Sequence, residues 1–213
     1  MKELDIQKEI IVKRTLSALR KNFFTAESVE TKEDALAYLA KLIHKDAIIG
    51  YGGSRTLAQI GFDDHFKSGA YPNLLNRDDA SLSPEAKDAL QLKMLSADFF
   101  LSSCNALSQG GELVLTDKWG NRCAGITYGP KTRVIVTSWT KITRDLASAL
   151  ERDRHVASVL NNIRFNTKNP CTITGECTNC TSDNRICGVT TILSRSFPKG
   201  SVHVLIVKEN LGF

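Results

Sequence analysis

Residues 46–61, DAIIGYGGSRTLAQIG, run from a buried apolar strand through three glycines into a helix, and this passage decides the fold class. Gly50, Gly52 and Gly53 permit positive φ and a close backbone approach, and Ser54 supplies a helix cap. A strand that feeds a helix through a tight turn is the repeating unit of an α/β sheet. Upstream, FFTAESV (23–29) reads as a strand, and Thr31 caps the helix TKEDALAYLAKLI, whose Glu33 and Asp34 suit the positive end of its dipole. Before it, Ile6, Ile10, Leu16 and Leu19 mark one face of an amphipathic helix over 1–22.

Downstream, LLN (74–76) reads as a weak strand, Ser83-Pro84 starts the helix PEAKDALQLKML, and DFFLSS (98–103) is a further strand. The texture then changes to short β-rich segments between turns: ELVLT (112–116), RCAGIT (122–127) and RVIVTS (133–138). Thr140 opens a long helix, KITRDLASALERDRHVASVL, and VTTILS (189–194) and SVHVLIV (201–207) close the chain as strands. The expectation is one α/β domain over 1–213 with a mixed, largely parallel sheet flanked by helices. A cysteine-rich loop over 168–188 forms a C-terminal metal-binding insert before the closing strands.

The chain's 213 residues suffice for one well-filled core, and 42% hydrophobic with 24% charged residues is globular composition rather than disorder. The net charge of +5 is mild, with lysines and arginines spread among acids and no basic block, so nucleic-acid binding has no support. No apolar run is long enough to span a bilayer. The N-terminus lacks the apolar core of a secretory signal, and Glu3, Asp5 and Glu9 argue against a transit peptide, so a cytoplasmic location is expected.

In that reducing setting, a cysteine cluster reads as metal-binding or catalytic rather than as disulfides. Cys104 and Cys123 lie apart in apolar stretches and read as small core residues. Cys171, Cys177, Cys180 and Cys187 instead fall in NPCTITGECTNCTSDNRICGVTTI, with spacing C-x5-C-x2-C-x6-C. Four thiolates supply the ligands for a tetrahedral zinc or for an iron–sulfur cluster. Paired C-x2-C knuckles typify zinc, and only Cys177 and Cys180 form such a pair, so the spacing favours iron–sulfur, with zinc as the alternative. Arg164, Lys168 and Arg185 lie close in sequence to offset the thiolate charge.

Two further places hold candidate ligand residues. At the glycine turn, Gly52, Gly53, Ser54, Arg55 and Thr56 stand at a helix start suited to a phosphate or carboxylate, although neither a Walker loop nor a complete GxGxxG is present. A tight turn with a serine cap explains the same residues without a ligand. After DFFLSS, where α/β sheets place their ligands, Ser102, Ser103 and Asn105 offer polar contacts, and Glu112 is a weak candidate for a nucleophile or base. The four histidines, at 44, 65, 155 and 203, have no ligand-like spacing.

Taken together, Ser103-Cys104-Asn105-Ala106, Gly110-Gly111-Glu112-Leu113-Val114, Asp117, Gly120-Asn121-Arg122, Gly129-Pro130-Lys131 and Lys141-Ile142 resemble the core motifs of the lactate-utilisation (LUD) domain family. The IIGYGGSRTL turn and the terminal cysteine segment resemble its cysteine-bearing branch, so the resemblance spans nearly the whole chain. It implies a fold similar to the ribose-5-phosphate isomerase and coenzyme A transferase group, and a [4Fe-4S] cluster in association with iron–sulfur oxidoreductase partners in lactate oxidation. It carries no settled reaction. Three functions follow as expectations. One is an electron-transfer accessory with its cluster on the four cysteines and a small anionic metabolite in the α/β domain. Another is an isomerase- or transferase-like enzyme using Glu112 beside a structural zinc or cluster. The third is a non-catalytic scaffold.

Overall fold

The computed structural model describes residues 2–213; Met1, part of the expected N-terminal helix, lies outside the described residues. Helix α1 (Lys2–Lys21) precedes strand β1 (Thr25–Val29), and α2 (Lys32–Leu42) starts at a reciprocal capping box of Thr31 and Asp34. Strand β2 (Ile49–Tyr51) leads through the glycine turn into α3 (Arg55–Gln59), where Ser54 Oγ accepts from Leu57 N at 3.2 Å. Helices α4 (Phe62–Phe66) and α5 (Pro84–Met94) follow, then strands β3 (Phe99–Ser102), β4 (Ala106–Ser108) and β5 (Leu113–Asp117). Helix α6 (Asn121–Thr127) precedes β6 (Thr132–Ser138) and the two-residue β7 (Ile142–Thr143). Helices α7 (Leu146–Arg152) and α8 (Ser158–Arg164) are joined by a wide π turn at Asp153–Ala157. The short α9 (Cys171–Thr174) and strands β8 (Val189–Leu193) and β9 (Val202–Val207) complete the chain.

Five strands form a wholly parallel sheet in the order β1-β9-β6-β3-β2. Its central strands are buried on both faces, which is why VHVLIV and RVIVTS are nearly continuous apolar runs. One face packs on Leu39 of α2, its C-cap Ile43, and Phe62 and Phe66 of α4; the other, which carries Phe100, packs on α1 and on Ile126 of α6. A smaller sheet, β7-β4-β5-β8, is antiparallel except for β4 with β7. Among the described residues no helix is long and apolar enough to cross a membrane.

The α/β class stands, but the one mixed sheet expected from sequence is two. The antiparallel strands form a sheet of their own, in which residues 106–108 pair as β4. RCAGIT is a helix, not a strand. The Asp117 carboxylate accepts from Arg122 N at 2.8 Å and Cys123 N at 3.2 Å, which satisfies first-turn amides and holds α6 on β5. The long helix begins at Leu146, capped by Asp145, because Ile142 is drawn into a bridge with Leu107. Leu74 makes only an isolated bridge to Ile49. On α1 the later turns are buried at Leu16 and Leu19, whereas Ile6 and Ile10 are exposed.

Candidate functional site

Every strand of the parallel sheet except edge strand β1 sends its following residues towards one cavity of about 310 Å³. Gly53 to Thr56 come after β2, Ser103 to Asn105 after β3, Lys141 after β6 and Phe213 after β9. The β5–α6 connection and α8 form the remaining walls. The carboxyl edge of a parallel sheet is where such folds bind ligands, because chain directions reverse there and leave a crevice.

Arg122 organises one side. Its Nε donates to Asp117 Oδ1 at 3.0 Å, Nη1 to Ser103 O at 3.1 Å, and Nη2 to Asn105 Oδ1 at 2.9 Å and Thr116 O at 2.7 Å. The stem of Arg122 lies on Gly52, where a Cβ would stand 2.6 Å from Cγ, so this turn position excludes a side chain. Gly53 has open space around its missing Cβ and borders the cavity directly.

Lys141 closes the floor. It is 3% exposed, and Nζ donates to Thr56 Oγ1 at 3.0 Å, Ser103 Oγ at 3.2 Å and Cys104 O at 3.2 Å. All three acceptors are neutral. Burial therefore lowers its ammonium to about 8, with Arg152 and Arg122 adding repulsion. Cys104 is buried, its thiol within hydrogen-bond distance of Thr137 Oγ1 at 3.3 Å. Behind the wall Thr116 Oγ1 donates to Asp153 Oδ2 at 2.6 Å, and burial pushes that carboxyl upward.

The four cysteines line a second, smaller pocket with Arg154, Ser158, Val159, Asn162, Asn169 and Arg185. Asn169 Nδ2 donates to Asn162 Oδ1 at 2.7 Å and Asn184 O at 3.0 Å, tying the start of the segment to its end. Arg185 donates to Cys187 O at 2.9 Å and Cys180 O at 2.7 Å. Burial, and then the nearness of Cys187, Cys180 and Cys177, pushes the Cys171 thiol up. No group of three or more His, Cys, Asp or Glu side chains among the described residues is arranged to hold a metal ion. All six cysteines are free thiols. Ser158 borders both pockets, so the first turn of α8, displaced by the π turn, is a wall common to the two.

A model of the LUD domain matches residues 12–207. The chain belongs to the LUD domain family. A crystal structure of a DUF162 family protein from Deinococcus radiodurans, at 1.70 Å resolution, shares the fold with a TM-score of 0.52. It is 16% identical, and the match covers 94% of this chain and 98% of that one. No curated protein matches the chain significantly.

In this LUD domain Gly53, Ser54, Arg55, Thr56 and Asn105 come together on the cavity, with Gly52 one layer behind. Glu112 does not reach it. It follows Gly111 in the β4–β5 turn, where it accepts from Ser108 Oγ and where a Gly111 Cβ would stand 3.1 Å from backbone atoms of α1. The sequence reading missed Arg77, Arg122 and Lys141 as cavity residues. The signal available was that Arg122 and Lys141 fall within the LUD-like motifs. Arg164, expected beside the cysteines, instead faces the cavity.

Proposed function

We propose that this LUD protein carries an iron–sulfur cluster of the [4Fe-4S] type on Cys171, Cys177, Cys180 and Cys187, and binds a small anionic metabolite in the adjoining cavity. It then serves as a redox accessory in 2-hydroxy acid utilisation, with iron–sulfur oxidoreductase subunits as partners. The family is linked to lactate utilisation. The observation that carries the reading is Ser158, which borders both the four-thiol pocket and the cation-lined cavity.

The donor set fits the group. Four sulfurs around one pocket match the ligand number of a cluster or of structural zinc. With a Zn–S bond of about 2.3 Å, tetrahedral thiolates must close to about 3.8 Å from one another. A cluster with iron at each corner accepts thiolates held wider apart. Such sites commonly close only as the metal binds.

A bound cluster supplies one-electron chemistry. The chain's own residues have separate tasks. Arg185 holds the carbonyls of Cys180 and Cys187, and the Asn162–Asn169 pair fixes the approach to Cys171. Lys141, Arg55 and Arg164 draw an anion into the cavity, and Arg122 keeps Asn105 oriented towards it. Kinship of fold with ribose-5-phosphate isomerase and coenzyme A transferase enzymes belongs to the same reading, supported by the glycine turn that opens on the cavity. So does a cytoplasmic location, in which free thiols persist. With Glu112 away from the cavity, nothing favours an isomerase or transferase reaction at that residue.

Anaerobic purification followed by iron, sulfide and zinc analysis, with EPR of the reduced sample, tests the proposal. The expected result is about four irons and four sulfides per chain. Stoichiometric zinc without iron would overturn the electron-transfer role.

A further inference from the structure

Six basic side chains, Arg55, Arg77, Lys118, Arg122, Lys141 and Arg164, line the cavity against a single acid, Asp117. The surplus is as large as the +5 charge of the whole chain. Asp117 is already engaged by Arg122 at 3.0 Å, and Arg77 has Asp78 at 3.7 Å. Among the described residues Arg55, Lys118, Lys141 and Arg164 have no carboxylate within ion-pair distance. For an exposed arginine this is ordinary. For Lys141, 3% exposed and hydrogen-bonded only to neutral oxygens, it is not, because buried cations are almost always paired. The missing counter-charge is one that a ligand brings. One carboxylate would offset a small part of this field; a chain of phosphates suits it, and the arginines match phosphate geometry.

The rim is of a different character. Trp119 is 79% exposed, with Lys118 Nζ 4.8 Å from its ring centroid. Phe165 is 59% exposed, with the Arg164 guanidinium 4.2 Å from its ring and Phe213 on the same guanidinium at 5.8 Å. Large rings left in water at the mouth of a cationic cavity are a stacking surface for a flat ring that arrives attached to the anion.

We propose that the cavity binds a nucleoside di- or triphosphate, its phosphates on the cations around Lys141 and its base against Trp119 and Phe165. The inference rests on the anion-binding half of the proposed function and is independent of the cluster.

Calorimetric titration of the full chain with ADP, inorganic pyrophosphate and L-lactate tests it, with fluorescence as a second readout because Trp119 is one of only two tryptophans. ADP is expected to bind on the order of tenfold more tightly than pyrophosphate, the gain of one stacked base, and to change the Trp119 emission. Pyrophosphate is expected to displace it. A Trp119→Ala/Phe165→Ala variant, altered only at exposed rings, is expected to bind ADP and pyrophosphate equally while keeping the pyrophosphate affinity. The proposal is overturned if ADP gains nothing over pyrophosphate, or if the double variant keeps the gain. Pyrophosphate binding without a ring advantage, or binding of lactate alone, would remove the nucleotide and leave the anion site standing. No binding of any of the three at about 1 mM would remove both.

Discussion

Gly52→Ala tests how the cavity wall is built. An alanine Cβ at this position would lie 2.6 Å from Arg122 Cγ, 2.8 Å from Cδ and 3.1 Å from Ser102 Oγ. Gly52 is not among the residues of positive φ, so the backbone itself accepts alanine and the whole cost is contact. Arg122 cannot swing clear cheaply, since its far end makes four hydrogen bonds, one of them the ion pair with Asp117 in which the two side chains are 12% and 14% exposed. Overpacking of this kind costs about 1–3 kcal/mol, and loss of one charged hydrogen bond adds about 1.5–3 kcal/mol, for a total of about 2.5–6 kcal/mol. The same substitution in an Asp117→Asn/Arg122→Ala background meets no stem and leaves no unpaired buried charge. There it is expected to be neutral or stabilising by up to about 1 kcal/mol, through the unfolded chain. Urea denaturation of the four proteins gives the coupling directly, expected at about 3 kcal/mol. Equal costs in both backgrounds, or less than about 1 kcal/mol in the wild type, would refute the packing of Arg122 on Gly52.

Two other perturbations address the floor of the cavity and the cysteine pocket. The Lys141 ammonium, held by burial at about 8, titrates well before its unfolded counterpart at 10.5. Between those values the unfolded chain binds the extra proton, so stability rises with pH there, by about 3 kcal/mol over the window. Without added anion, the stability of wild type relative to Lys141→Met is expected to climb by that amount between pH 7 and about 10.5; a flat difference would show that Lys141 is not a buried charge. Arg185→Met removes the donors to the Cys180 and Cys187 carbonyls and leaves the core untouched. It is expected to unfold at nearly the wild-type urea concentration and, once loaded with the proposed cluster, to lose iron to a chelator several-fold faster than wild type; an unchanged loss rate would free Arg185 of that role.

The strand–turn–helix passage at 46–61 is legible from sequence because its signals are local: an apolar run, glycines and a capping serine. The four cysteines stand out for the same reason, and their nearness in sequence becomes a shared pocket. RCAGIT misleads because its composition suits a strand, while the decision rests with Asp117, which caps the helix from the end of the preceding strand. The start of α7 misleads because Ile142 continues a helical spacing but pairs across to Leu107. Of the cavity's charge, only Arg55 is legible from sequence as anion-binding. The cations stand singly among acids between positions 55 and 164, and only the fold brings them to one sheet edge. Glu112 shows the converse: a residue of promising type, after a promising strand, carried away by a hairpin turn.

The proposed redox centre on Cys171, Cys177, Cys180 and Cys187 would lie against the cation-lined cavity across Ser158, which borders both pockets. Its most direct test is the reduction potential of the anaerobically prepared protein, followed by EPR with and without saturating pyrophosphate. Negative charge beside a cluster disfavours the added electron, so the potential is expected to fall when the anion binds, and in Lys141→Met, which removes one of the cavity's cations, to fall only at higher pyrophosphate. An iron-free protein, or a potential that does not move while the anion is shown to be bound, would rule out a cluster beside the anion site.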